Sequence, residues 1–180
     1  PGAVARALEE RMFSFRSEQD AKHSDLQIAG VGQGGLGLPD RDYYLRSDSA
    51  AVATRGRYTE HIAKLFELLG DPADKARASA DAILGLETSL AKASLTNVQR
   101  RDPNAVYHKL PLDSLRALTP DFDWNAYLAA RGVTAPDSIN IAQPAFLSAV
   151  NGVVTSVPLD TWKSYLRSRG VGGAAPSLSA

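Results

Sequence analysis

The sequence predicts a mainly α fold, a multi-helix lobe carrying one small β-hairpin near its N-terminus. Two patterns predict it. From about Ser49 onward apolar residues recur at three- and four-residue steps, the period of a helix face packed on a core, whereas residues 12–29 alternate apolar and polar as half-buried strands do. Between the two lies GVGQGGLGLPDRDYYL, residues 30–45, with five glycines in its first eight positions, which continues neither period.

Taken in order, residues 2–11 (GAVARALEER) suit a short helix. Met12 to Arg16 then alternates, Ser17 to Ser24 is polar enough for a turn, and Asp25 to Ala29 alternates again, so 12–29 reads as a hairpin with a long connection. Residues 30–48 form a glycine-rich connection. The helix that starts near Ser49 sets Val52, Tyr58, Ile62, Leu65, Phe66 and Leu69 along one stripe, with Gly70 just past its end. Asp71-Pro72 restarts the chain, and residues 73–94 carry Ala76, Ala80, Ile83, Leu86 and Leu90 on the face of an antiparallel partner helix. Shorter helices follow at Leu112–Leu118, after Pro111, and at Trp124–Arg131, with Asp123 as N-cap and Gly132 beyond the end. Ile139-Asn140-Ile141 is a brief extended piece. Pro144 starts a helix through Val154, and Pro158-Leu159-Asp160 starts the last, with Trp162, Tyr165 and Leu166 on its inner face. There is no internal repeat. The elements group as a single lobe over residues 1–169 (12–29 hairpin, 30–48 connection, 49–169 helices), with 170–180 a tail or truncated continuation.

Composition narrows the functional classes. The 20 basic and 20 acidic residues are interspersed and cancel, which argues against a general affinity for nucleic acid or an anionic membrane. With no cysteine, disulfides, zinc knuckles and thiol nucleophiles are excluded. No apolar run reaches the roughly 18 residues a membrane helix needs, and the N-terminus lacks the layout of a signal peptide. Pro1 in place of Met, and an ending GVGGAAPSLSA without a stop signal, read as a piece of a longer chain.

The glycine stretch invites a dinucleotide reading, since Gly30, Gly32 and Gly35 fit G-x-G-x-x-G. That reading needs a helix to follow at once. Pro39 instead pushes Leu38 out of the helical region, and Arg55 stands about twenty residues on, where the ribose-binding acid belongs. No Gly-Lys-Ser/Thr supports a P-loop, and no G-x-S-x-G supports a nucleophile elbow. The three histidines, His23, His61 and His108, lack helical ligand spacing, so H-E-x-x-H is absent and surface or capping roles are favoured. Asp40, Arg41 and Asp42 beside Tyr43 and Tyr44 could orient a substrate, but turn capping, charge bridging and packed tyrosines account for them as well. Arg100-Arg101-Asp102-Pro103 reads as a loop after a long helix, where arginines suit the C-terminal dipole. Phe122, Trp124, Tyr127, Trp162 and Tyr165 are spaced for core packing.

The stretch Gln33-Gly34-Gly35-Leu36-Gly37-Leu38-Pro39-Asp40-Arg41-Asp42-Tyr43-Tyr44-Leu45 closely resembles a signature of the neprilysin family of zinc metallopeptidases. Further agreement follows in order. It includes Leu86-Glu87-Thr88 in the long helix, Arg101-Asp102-Pro103 with Tyr107, Phe122-Asp123-Trp124 with Tyr127-Leu128, and Pro158 to Lys163 with Tyr165-Leu166-Arg167; together these cover nearly all of residues 12–169.

The resemblance implies a peptidase of two mainly helical lobes around a large cavity, with zinc in the C-terminal lobe. There, two histidines of H-E-x-x-H and a later glutamate hold the metal, and the motif's glutamate acts as general base for a zinc-bound water. None of those motifs occurs here, so no catalytic, cofactor-binding or metal residue carries over. The implied role is a non-catalytic lobe that limits which peptides reach the metal. Its partners would be the C-terminal catalytic lobe of the same chain and the parent's peptide substrates, with no nucleic acid and no membrane contact. Zero cysteines, with abundant alanine, departs from disulfide-rich animal members and suggests an exported bacterial relative, periplasmic or extracellular. Two rival readings remain: a stand-alone helical module that binds peptide or protein, and an enzyme with a site built on Asp40, Asp42, Glu87 and a histidine. Gly34, Gly35 and Gly37 then serve as permissive backbone at the handover from hairpin to helices, with Pro39 fixing the exit.

Overall fold

A computed structural model describes residues 12–174. Among the described residues are seven α-helices and a four-stranded sheet, so the fold is mainly α, with its strands concentrated near the N-terminus. The helix expected over residues 2–11 lies outside the described residues. The chain divides into two compact units: Pro1–Gly35 with Ala93–Thr155, and Leu36–Lys92 with Ser156–Ala180.

The first unit is built on the sheet. Strands β1 (Phe13–Asp20) and β2 (His23–Gln33) pair antiparallel, with Phe13 opposite Gln33 and Ser17 opposite Ala29. Both strands run further than the alternation over 12–29 suggested, and Ala21-Lys22 is the whole connection. In the polar stretch Ser17–Asp20, Ser17 and Gln19 meet water on β1, an edge strand, whereas Asp20 at its end is buried. Gly30 and Gly32 belong to β2 rather than to the glycine-rich connection. Two further strands complete the order β1-β2-β4-β3, where β3 is Lys109–Pro111 and β4 is Ser138–Ile141. β4 lies parallel to β2, and β3 antiparallel to β4. Local pattern marked Ile139 to Ile141 as extended and missed β3, a three-residue strand that exists only because β4 supplies its hydrogen bonds.

One face of this sheet carries Phe13 and Phe15, whose rings meet Tyr127 at centroid distances of 5.8 and 5.3 Å. Tyr127 and Trp124 come from α5 (Trp124–Ala130), which follows the short α4 (Leu112–Leu118). Asp123 caps α5 by accepting from Ala126 N at 2.9 Å, and Trp124 Nε1 donates to Thr119 Oγ1 at 2.7 Å, so the indole is buried without an unmet donor. Helix α6 (Pro144–Ser156) buries Phe146, Leu147, Val150 and Val153. It is tied to the loop before α5 by Asn151, which accepts from Asp121 N and donates to its carboxylate, both at 3.0 Å.

The second unit is helical. After a single turn, α1 (Asp42–Leu45), come α2 (Ser49–Leu68) and α3 (Ala73–Ala93). Asp48 caps α2 through Ala51 N, and the helix ends in a Schellman arrangement: Gly70 N bonds to Glu67 O at 2.9 Å and Asp71 N to Phe66 O at 3.0 Å. Gly70 sits at φ 91°, a conformation in which a Cβ would be strained. The last helix, α7 (Leu159–Ala174), runs on past residue 169. It joins the α2–α3 pair through an Arg167–Asp71 ion pair at their connection, with the Arg167 guanidinium 5.3 Å from the centre of the Phe66 ring.

Candidate functional site

The signature segment is held by one carboxylate. Glu87 sits on the apolar stripe of α3 with Ala80, Ile83 and Leu90, and all four are fully buried. Its Oε2 accepts from Tyr44 Oη at 2.7 Å, and Tyr58 Oη lies 2.9 Å from both carboxylate oxygens. The Tyr44 oxygen in turn accepts from the backbone N–H groups of Gly37 (3.0 Å) and Leu38 (2.8 Å). The direction of this chain is fixed: with two N–H donors on its oxygen, Tyr44 must give its own proton to Glu87. Tyr58 is under no such constraint, so a proton on the carboxyl would sit on Oε1 and be donated to Tyr58. Burial pushes the Glu87 carboxyl above its ordinary value, while bonds from Tyr44 and Tyr58 and the charge of Arg169 pull it back. Both tyrosine hydroxyls are driven far up, by burial first and by the Glu87 charge second.

Gly37 is required by closeness to this anchor. A Cβ there would stand 1.9 Å from Tyr58 Oη and 3.1 Å from Glu87 Oε1. Gly37→Ala is expected to cost about 1–3 kcal/mol of stability, as overpacking does. Urea unfolding checks this, and in a Tyr58→Leu background, where the obstructing ring is gone, the added cost of Gly37→Ala should shrink.

The remaining residues of the charged cluster take turn roles. Asp40 Oδ1 accepts from Asp42 N at 2.8 Å, and Arg55 Nη1 reaches the carbonyls of Tyr43 and Arg46, both at 2.8 Å. Asp40 and Asp42 line a shallow crevice with Arg46 and Asp48, while Glu87 is enclosed by Tyr44 and Tyr58. No histidine joins either group, so Asp40, Asp42, Glu87 and a histidine are not brought together as one site. Arg101 ends a 3-10 turn over Gln99–Arg101, and Asp102 then makes an Asx turn, its Oδ1 accepting from Asn104 N at 2.9 Å.

A second polar centre lies in the sheet unit. Asp20, with no exposed surface, accepts from Lys109 Nζ (2.7 Å), Tyr107 Oη (2.7 Å) and Lys22 N (2.9 Å). The Lys109 bond, then the Lys22 N–H and Tyr107, hold its carboxyl well below the usual range. A depressed carboxyl contributes stability above the ordinary aspartate pKa, and that contribution is lost as pH falls. Asp20→Asn is therefore expected to lower the urea midpoint at neutral pH, with the gap to the parent chain closing on acidification.

Zinc, the metal that the resemblance implies, needs at least three converging protein donors. His23 and His61 are exposed; His108 has a buried Nδ1 without a partner, the kind of atom a metal could use. Yet no group of three or more His, Cys, Asp or Glu is placed to hold a metal among the described residues. This donor set does not fit the ion. No helix among the described residues is long and apolar enough to cross a membrane.

Sequence reasoning gave Glu87 no structural role. The signal was there: with Ala80, Ile83 and Leu90 it falls at steps of three and four, a carboxylate inside an apolar stripe.

Fold and site together define a helical domain whose glycine-rich signature loop is locked by a buried carboxylate and two tyrosines. The chain belongs to peptidase family M13, whose N-terminal family model matches residues 2–180. It is 32% identical to endothelin-converting enzyme 1 of Bos taurus over 161 residues, 86% of this chain and 21% of that enzyme. The crystal structure of the Mycobacterium tuberculosis zinc metalloprotease Zmp1 in complex with an inhibitor superposes with a TM-score of 0.88 at 31% identity, covering 99% of this chain and 27% of that one. PepO from Lactobacillus rhamnosis, at 17% identity and a TM-score of 0.81, shares the fold. The chain thus spans between a fifth and a third of the length of these relatives.

Proposed function

We propose that this chain is the non-catalytic helical lobe of a neprilysin-like zinc endopeptidase, covering the active-site cavity of its parent and restricting the size of peptide that enters. One observation carries the reading. The family model takes in residues 2–180, while the chain accounts for only 21% of the endothelin-converting enzyme and 27% of Zmp1. The metal ligands and general base then belong to the rest of the parent, and the C-terminal catalytic lobe of the same polypeptide is this segment's partner. Residues 1–169 act as one lobe, and its catalytic, cofactor-binding and metal residues are none. Likeness to a mycobacterial zinc metalloprotease and the absence of cysteine support an exported bacterial parent, periplasmic or extracellular.

The test is the full-length protein. Its reading frame is expected to continue past Ala180 into an H-E-x-x-H motif. The purified parent should hydrolyse short peptides, lose that activity with a chelator, and slow sharply as substrates lengthen or fold. The 180-residue chain with added zinc should show no turnover. A parent that ends at Ala180 and binds peptides would establish the stand-alone module instead. Turnover by the chain alone, lost in His61→Ala, would overturn the assignment.

A further inference from the structure

The face of the sheet opposite the aromatic cluster is polar, and it floors a crevice of about 230 Å³ between β1, β2, β4 and the loop over residues 99–107. Most polar groups in it are already committed. Arg16 Nη2 pairs with Glu18 Oε2 at 2.9 Å, and Glu18 Oε1 accepts from Asn140 Nδ2 at 2.8 Å, so both carboxylate oxygens are engaged and the arginine's charge is matched. The Gln33 side chain is spent on Leu95, donating to its carbonyl and accepting from its N–H. Tyr107 gives its hydroxyl proton to Asp20.

Two donors remain open. Gln143 is 7% exposed, and its Oε1 accepts from Gln33 N at 2.7 Å. That bond fixes the amide, so Nε2 is oriented away from Gln33, and it has no partner among the described residues. Gly32 permits this arrangement, since a Cβ there would stand 3.0 Å from Gln143 Oε1. The second is Arg100, which lines the same crevice and has no acidic partner among the described residues. The crevice therefore holds one uncompensated positive charge and one pre-set neutral donor. Its volume is below the several hundred Å³ of sites for larger ligands.

We propose that this crevice is a subsite for a peptide carboxylate, with Arg100 as its charge partner and Gln143 Nε2 as the fixed second donor. A planar two-oxygen monoanion matches a guanidinium fork and a single amide, whereas a phosphate dianion would leave charge unmet. The carboxylate comes either from a peptide's C-terminus or from an acidic side chain. The inference rests on the peptide-handling reading above and adds a specificity element to it.

The experiment is a titration of the 15N-labelled 180-residue chain with four probes: acetyl-tetra-alanine as free acid, the same peptide amidated, an amidated acetyl-Ala-Ala-Glu-Ala, and inorganic phosphate. At least one of the two carboxylate peptides should bind and shift the Gln143 side-chain amide, at least tenfold more tightly than the neutral amide or phosphate. The free-acid arm identifies the C-terminus as the source, and the glutamate arm the side chain. Arg100→Gln should weaken that binding at least tenfold with amide dispersion unchanged, while Arg57→Gln on α2 leaves it as it was. Equal binding of the neutral peptide or of phosphate, no binding by either carboxylate peptide, shifts confined to other residues, or an unaltered affinity in Arg100→Gln would each overturn the proposal. The titration needs no turnover, so its failure is separate from failure of the parent's peptide hydrolysis.

Discussion

Glu87→Ala is expected to destabilise the helical unit by about 3–5 kcal/mol, since a lost partner costs about 1–3 kcal/mol for each buried group left unmet. The hydroxyls of Tyr44 and Tyr58 lose their acceptor, and the Tyr44 oxygen is freed to move off Gly37 N and Leu38 N. Glu87→Gln should behave differently. Its carbonyl oxygen can take the obligatory Tyr44 proton, and its amide can donate to the Tyr58 oxygen, so a cost within about 1 kcal/mol is expected. The two variants also part in pH dependence. Burial raises the folded-state pKa of Glu87, so its contribution is fully present below the ordinary glutamate value and is lost as pH rises through the folded value. Urea unfolding followed by circular dichroism from about pH 4 to about pH 8 measures both effects; the glutamine variant should lack that part of the slope. Equal losses in the alanine and glutamine variants would remove the hydrogen-bond account of the anchor.

Tyr127→Ala is the corresponding expectation for the sheet unit, at about 3–5 kcal/mol, the range for truncating a buried aromatic side chain. Tyr127 has no exposed surface, and its ring lies within 5.1–5.8 Å of those of Phe13, Phe15, Phe122 and Trp124. Those partners come from β1 and from the segment around the start of α5. One truncation thus opens a cavity where sheet and helix meet. Tyr127→Phe keeps the ring and should cost about 1 kcal/mol, the worth of one ordinary hydrogen bond. Thermal or urea unfolding of the pair separates ring packing from the hydroxyl. A phenylalanine variant as unstable as the alanine variant would show that the hydroxyl, not the ring, holds this region.

The elements that were legible in the sequence are those whose signal is local. α3 buries the whole stripe expected of it, while α2 buries Ile62 and Phe66 with Ala51 and Ala63 and leaves Val52 and Leu69, expected on the same stripe, exposed near its two ends; Gly70 and Asp123 mark ends by chemistry that acts within four residues. The hairpin was visible by alternation but drawn too short. Nothing in Ser17–Asp20 or Gly30–Gln33 says locally that a partner strand will hold them extended. β3 and α1 are too short for any period. Of the polar sites, the Asp40 turn role could be read directly, because an Asx turn needs only its own next two residues. The burial of Asp20 and Gln143 could not, since Tyr107 and Lys109 lie 87 and 89 residues from Asp20 and Gln33 lies 110 from Gln143.

What the sequence determined alone was the mainly helical class, the places of the two long helices, and through its long signature a resemblance that the family match turned into membership. Only the tertiary structure decided what the signature loop is for. A tyrosine, a glycine and a leucine amide become one anchor when α3 presents a buried carboxylate to them, and no pattern within the loop encodes that carboxylate. The physical reason is range. Helical period and capping are satisfied within a few residues, whereas burial of a charge, and the donors that make it tolerable, are set by whichever distant segments the fold packs around it.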